Sequence, residues 1–411
     1  LLRRRRSSGG AIAILVASVI LSACGGSAKS EREVRIGVIA PLSGSLTSFG
    51  VGIRNGVNLA VRQANQQHKV KGWRIVLAPE DDTASPDVGA NAATRLSDDK
   101  TVMAVVGTLN STVAEKVAPI LNRQKVVMIS PANTDPTLTL GTDAKNLGTD
   151  AKNRVRPFEY YFRVAATDLV QGPFAANFAY RSAGKRNVVV IHDRTTYGQG
   201  LAVQFKAQFE KLGGTVPALE TVESQDQDFS AVLSRVKRFS PDMIYFGGDY
   251  PAASLLTGQA DQQGIKVPLM GGYGILDPTY IDRAKGGAEG DFATSVGAAT
   301  EQLPTARSFI DAYQAAGYAD PYEAYGAYAY DAANVIIAAL AKVLPGEGRI
   351  TDELRAKLRQ AVQDGTVDGV TGTVAFDRYG DTTTRSLTVY TVEKDASGTL
   401  AWKPDETKPF Q

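Results

Sequence analysis

An α/β fold of two doubly wound, parallel-sheet lobes is the architecture this 411-residue chain predicts, and three observations carry it. From Val34 onward, short β-rich runs alternate with longer amphipathic segments, the rhythm of parallel strands covered on both faces by helices. The rhythm restarts at Asn187, so two sheets are expected rather than one oversized sheet. Beyond its N-terminal leader the chain keeps 388 residues, enough for two ordinary domains.

The elements follow in order. Residues 34–40, Val-Arg-Ile-Gly-Val-Ile-Ala, read as the opening strand, and 52–67 as the helix behind it. Strands are predicted over 74–78, 102–106 and 126–129, with helices near 86–98 and 111–122 between them. The second set has strands over 187–192, 243–246 and 267–270, and helices near 200–212, 229–238 and 251–263. After about Thr300 the chain turns helical, over 305–315, 322–343 and 352–363, and two strands, 372–376 and 386–392, close it. In open parallel sheets ligands sit beyond the carboxyl ends of the strands. Two facing lobes therefore place a site in the cleft between them.

The first 23 residues read as an address label. Arg3, Arg4, Arg5 and Arg6 precede an uncharged apolar run, 11–21, and Leu21-Ser22-Ala23-Cys24 closes it. A basic region, a short apolar region and small residues before a cut describe a secretory signal peptide. With cysteine after the cut, the pattern resembles the lipobox of bacterial lipoproteins. There the thiol, here Cys24, takes a lipid and becomes the new N-terminus, so the resemblance implies an extracytoplasmic, membrane-anchored protein with 24–33 as a tether. The alternative is a transmembrane anchor with an incidental cysteine. The apolar run is about half of the roughly 20 residues a span needs.

Composition excludes several classes. Without the leader's four arginines the chain carries 41 basic against 43 acidic residues, no electrostatic footprint for nucleic acid. Cys24 is the only cysteine, so no intrachain disulfide is available, and two histidines argue against a transition-metal site. No cofactor is expected. A tandem heptad, Leu140-Gly-Thr-Asp-Ala-Lys-Asn146 repeated to Asn153, is too short for a solenoid. It reads as a duplicated surface loop, the alternative being a flap near the crossing between lobes.

Eight segments in order carry a family resemblance. They are Arg35-Ile-Gly-Val-Ile-Ala-Pro-Leu-Ser-Gly44, Glu80-Asp-Asp-Thr83 before Pro86, Val106-Gly-Thr-Leu-Asn-Ser111 and Met128-Ile-Ser-Pro-Ala-Asn-Thr134. His192-Asp-Arg-Thr-Thr-Tyr-Gly-Gln-Gly200, Tyr245-Phe-Gly-Gly248, Met270-Gly-Gly272 and Ala288-Glu-Gly290 follow. Together they resemble the branched-chain amino-acid-binding proteins of ABC transporters, with the type I periplasmic-binding fold, over essentially residues 34–392. The resemblance implies a venus flytrap with three strands crossing between lobes, near 163–167, 293–298 and 387–390. Lobe 1 would then be 34–165 plus 297–388, and lobe 2 166–296 plus 389–411. It also implies a monomer that closes on one amino acid (leucine, isoleucine, valine or another aliphatic) and presents the closed form to a membrane permease.

A free amino acid needs partners for its carboxylate, its ammonium and its side chain. Ser111 heads a predicted helix, whose unpaired N–H groups and dipole favour an anion; an ordinary N-cap is its other reading. The resemblance gives Thr134 a hydroxyl contact with the ligand's charged end and Ala132 a carbonyl contact with the ammonium, with Asn133 between them. Phe49, Leu109, Tyr197 and Tyr325 match family pocket residues. The chain also departs from the pattern. The family's acidic partner for the ammonium falls where this chain has Tyr273, whereas Asp249 stands where tyrosine is frequent. A reciprocal exchange, with Asp249 supplying the charge and Tyr273 the aromatic surface, competes with Asp249 as a solvated N-cap before Pro251. Some members' cysteine pair is replaced by Ala84 and Asn110, which sets Asn110 beside the site.

Other classes find less support. Ser111, His192 and Asp193 lack the Gly-x-Ser-x-Gly elbow of a hydrolase. No phosphate-binding glycine motif follows a predicted strand. Glu80, Asp81 and Asp82 lack the spacing of a calcium loop, and the sequon at Asn110 is read as coincidence. A sensor of the same fold, for an amide or an aromatic acid, remains the alternative to a transport receptor.

Overall fold

The computed structural model describes residues 31–141, 155–384 and 386–409. Cys24, the leader and residues 142–153 of the duplicated heptads lie outside the described residues.

Five strands make the first sheet: β1 (Arg32–Ala40), β2 (Trp73–Asp81), β3 (Val102–Gly107), β4 (Val127–Ser130) and β5 (Tyr161–Arg163). They are all parallel, in the order β2-β1-β3-β4-β5. β3 is buried at every position, as expected of a central strand covered on both faces. The connecting helices are α1 (Thr47–Gln66), α2 (Pro86–Asp98), α3 (Ser111–Arg123) and the short α4 (Thr137–Leu140).

The second sheet begins after α5 (Asp168–Asn177). Its strands β6 (Val188–His192), β7 (Leu219–Thr221), β8 (Met243–Gly247), β9 (Leu269–Gly271) and β10 (Phe292–Thr294) alternate with α6 (Thr196–Lys211), α7 (Ser230–Arg238), α8 (Tyr250–Gln262) and α9 (Pro278–Arg283). The chain then returns to the first lobe with α10 (Arg307–Ala315), α11 (Glu323–Val343) and α12 (Asp352–Gln363). A small antiparallel pair, β11 (Val367–Gly369) and β12 (Gly372–Val374), follows. It ends with β13 (Ser386–Lys394) and β14 (Leu400–Pro409), and the second sheet runs β14-β13-β10-β9-β8-β6-β7.

Three expectations need correction. The chain does not close on two strands, because β14 pairs antiparallel with β13 along its length. Its sequence, Leu-Ala-Trp-Lys-Pro-Asp-Glu-Thr-Lys-Pro, has two prolines and little apolar alternation. Such a strand survives only at a sheet edge, where missing N–H donors cost nothing. The second sheet is also not purely parallel, since β10–β13 and β13–β14 run antiparallel. The strand expected over 372–376 shrinks to Gly372–Val374, with Phe376 making one isolated bridge to Thr382.

Passages between the sheets are stitched by backbone hydrogen bonds. After β5, Val164 N–H donates to Ser130 (3.0 Å), Ala166 to Val296 (3.4 Å) and Asp168 to Thr134 (2.9 Å). Ser295, just past β10, donates to Thr388 of β13 (2.8 Å). α1 begins five residues earlier than predicted. Gly50 and Gly52 lower its local helix propensity, but Gly52 and Gly56 let it lie directly on α11. A Cβ on Gly52 would stand 2.6 Å from the Tyr322 carbonyl oxygen, and one on Gly56 would collide with that of Gly326.

Candidate functional site

The carboxyl ends of β3 and β4 deliver two loops side by side. α3 starts at Ser111, with Asn110 in extended N-cap conformation (φ −82°, ψ 133°) and no side-chain cap. Ser111 Oγ instead accepts the N–H groups of Thr134 (3.3 Å) and Asp135 (3.4 Å), so the hydroxyl ties the second loop to the helix start. Thr134 is 1% exposed, and its hydroxyl has no hydrogen-bond partner among the described residues. A buried hydroxyl without a partner costs stability unless a ligand supplies one.

Asn133, in the second loop, ties the two loops together. It is fully buried, and its Nδ2 donates to the carbonyls of Thr108 (3.1 Å) and Leu109 (2.9 Å). Its Oδ1 accepts the Tyr161 hydroxyl (3.1 Å). Asn133 thus braces the two loops, and Ala132 beside it is held by a 3.1 Å bond from its N–H to Ser130 Oγ.

Sequence reading missed Arg163, which anchors this loop. At the end of β5 its guanidinium is fully buried and donates to the carbonyl oxygens of Asn133 (3.2 Å) and Asp135 (2.7 Å) and to the Thr139 hydroxyl. It pairs with Asp381 at 2.6 Å. Burial opposes its charge, but Asp381, Tyr161 and Asp135 outweigh that and raise its pKa. An arginine ending a strand two hundred residues from its partner leaves no local signal.

The second lobe faces these loops with Asp249 and Tyr273. Asp249 is the N-cap position of α8 but makes no capping bond, and it is only partly exposed, which removes the solvated-cap reading. Its carboxylate accepts Asn110 Nδ2 at 3.4 Å across the cleft. Burial, then the charge of Asp193, pushes its pKa up to about 8. Gly274 follows Tyr273, and a Cβ there would lie 2.5 Å from Asp249 Oδ1, so the carboxylate reaches the loop where the family's acid is expected. The Tyr273 hydroxyl donates to the Ala324 carbonyl at the start of α11.

The aromatic residues gather around the same spot. Phe49 meets Tyr250 edge-on at 5.3 Å and Tyr325 at 5.0 Å, and Tyr325 packs on Tyr273 at 4.6 Å. Tyr197 accepts the Gly274 N–H (3.0 Å). Its phenol is raised by burial, then by Tyr325 and Asp249, and that of Tyr325 by burial, then by Asp249. Leu109, 6% exposed, joins this apolar wall from the first loop.

Lobe-to-lobe contacts around the rim were also missed. Tyr250 Oη donates to the Ser45 carbonyl (2.7 Å) and Ser48 Oγ to Asp277 Oδ2 (2.8 Å). Thr196 bonds Thr112 (3.2 Å) and Glu115 (3.1 Å) through its N–H and hydroxyl. These contacts join polar groups far apart in the chain, without pattern in the sequence.

The residues of the other classes are occupied elsewhere. His192 Nδ1 accepts the Arg194 N–H (3.1 Å), while Ser111 serves the Thr134 loop. Glu80 pairs with Arg95 (2.6 Å), and Asp81 accepts from Leu42 and Ser43. Among the described residues no group of three His, Cys, Asp or Glu could hold a metal, and no helix is long and apolar enough to cross a membrane.

Residues 33–398 match the periplasmic binding protein family. The chain belongs to it. Periplasmic binding proteins are extracytoplasmic solute binders. This one is 31% identical over 378 residues to Leu/Ile/Val-binding protein homolog 3 of Brucella melitensis, covering 92% of this chain and 96% of that protein. It is 29% identical over 385 residues to the leucine-, isoleucine-, valine-, threonine- and alanine-binding protein of Pseudomonas aeruginosa, covering 94% and 96%. Its fold superposes on a leucine-binding protein from Thermotoga maritima with a TM-score of 0.77 at 29% identity, covering 90% of this chain and 97% of that one.

Proposed function

We propose that this periplasmic binding protein captures one free amino acid of the aliphatic class between its lobes and delivers it to an ABC permease. The buried, partnerless Thr134 hydroxyl beside the N-terminus of α3 carries the reading. It needs an acceptor, and a ligand carboxylate supplies one while lying against the helix N–H groups. Opposite, Asp249 is the anion for the ligand ammonium, with the Ala132 carbonyl. Phe49, Leu109, Tyr197, Tyr273 and Tyr325 surround the side chain. The relatives' names fit this class of ligand. The protein acts as a monomer, tethered outside the membrane by lipid on Cys24.

Thermal unfolding of the refolded, ligand-stripped protein across the free amino acids tests it. A ligand at a hundredfold over its Kd stabilises the fold by about 2.7 kcal/mol. Silence with every amino acid would reject the reading. Mass spectrometry of the protein from a bacterial membrane fraction tests the anchor, and an unmodified Cys24 would reject it.

A further inference from the structure

The N-terminus of α1 meets the N-termini of α8 and α9 across the cleft, and the bonds between them are made by protein groups alone. Tyr250, the first residue of α8, donates its hydroxyl to the Ser45 carbonyl (2.7 Å) and lies 3.3 Å from Ser48 Oγ. Ser48 Oγ donates to Asp277 Oδ2 (2.8 Å). Asp277 is fully buried as the N-cap of α9. Its Oδ1 accepts the Thr279 N–H (2.7 Å), and its carbonyl accepts the indole N–H of Trp402 from β14 (3.1 Å). The acceptor for Ser48 is therefore held from two sides before the lobes meet.

This cluster borders a cavity of about 70 Å³ between the lobes, which Ser45 and Leu46 line together with Asn110, Asp193 and Asp249. Tyr250 directly follows Asp249, so the residue that ties α8 to α1 stands beside the carboxylate proposed for the ammonium. The other crossing bonds, from Thr196 to Thr112 and Glu115, end on an exposed Glu115. Water competes there, and such bonds hold less than those in the part-buried Ser48 cluster.

Donor and acceptor stand on different lobes, so opening breaks the Ser48 and Tyr250 bonds whatever the ligand. By linkage, a contact made only in the closed form adds to the binding of any ligand that favours that form. We infer that Ser48, Tyr250 and Asp277 form a latch, positioning residues that stabilise the closed form without touching the ligand. The latch scales the affinity for every ligand by a common factor and leaves the choice among ligands to the cleft. Its test rests on the reading of that cleft as an aliphatic amino-acid site.

Calorimetry and stopped-flow fluorescence of the ligand-stripped protein, with leucine, isoleucine and valine in turn, are the experiment. In Ser48→Ala the Kd should rise about tenfold for all three, with their ranking kept and the loss carried by faster dissociation. Tyr250→Phe should act in the same direction, and Ser48→Thr, which keeps the hydroxyl, should return the Kd to within about threefold. An unchanged Kd in both Ser48→Ala and Tyr250→Phe would overturn the latch while leaving the amino-acid cleft standing. So would a changed ranking of the ligands, which marks a residue that touches the side chain. If none of the three binds the wild-type protein, the amino-acid reading falls, and small-angle X-ray scattering decides the latch separately. A larger ligand-free radius in Ser48→Ala would sustain it, and equal radii would overturn it as well.

Discussion

In the proposed reading Thr134 and Asp249 hold the two charged ends of the ligand, and each makes a prediction of its own. Thr134→Val keeps the shape and removes the partnerless hydroxyl, so the free protein should not lose stability. Binding of the ligand should nevertheless weaken roughly ten- to a hundredfold, the worth of a hydrogen bond to a charged group. Asp249→Asn is nearly isosteric and removes the charge proposed to face the ammonium. Calorimetry should show a loss of similar size, and an unchanged Kd would return the ammonium to another partner. Asn133, by contrast, is legible as a loop residue but not as a brace, because the three hydrogen bonds that hold it go to groups 24 to 28 residues away.

At the scale of elements, the α1–α11 contact shows how glycine can hide the first turn of a helix from sequence reading and still be required by its packing. Gly56 permits a backbone approach that no side chain would allow. Gly56→Ala should therefore destabilise by about 1–3 kcal/mol through overpacking, despite alanine's better helix propensity. Gly348→Ala, with nothing within 4 Å of the new methyl, serves as control and should leave the melting temperature near its starting value. Equal melting temperatures for both variants would contradict the close packing. β14 was illegible for the opposite reason. Its pairing depends on an edge created by β13, and its own residues carry no strand pattern.

At the scale of the whole molecule, burial raises the pKa of several acids among the described residues. Burial raises Asp249 and Asp291 to about 8, Asp82 to about 7 and Asp193 to about 6. Burial, then Asp277 and Asp320, raises Glu323 to about 7. In the unfolded chain these groups release their protons near pH 4. Between about pH 4 and 8 the folded state thus binds more protons, so its stability falls as pH rises through that window. The ligand-free protein should melt at a higher temperature near pH 5 than near pH 8. An ammonium ligand stabilises the ionised form of Asp249, so its thermal shift should be larger at the alkaline end. A ligand shift independent of pH would separate Asp249 from the ammonium.

The strand–helix alternation and its restart at Asn187 determined the class of fold, because a parallel sheet covered on both faces needs continuous apolar runs between amphipathic helices. The motif order determined the two loops, since Ser111 and Thr134 sit at strand ends wherever such strands run. Tertiary structure alone decided how the loops are held, through Arg163 and Asp381, and which partners cross the cleft, through Asn110 and Asp249. It also set two carboxylates against one cavity, and that pairing arises from residues 56 positions apart meeting at neighbouring strand ends. Local pattern fixes what repeats along the chain. The charge balance of a cleft belongs to the fold, because it depends on which distant groups burial brings together.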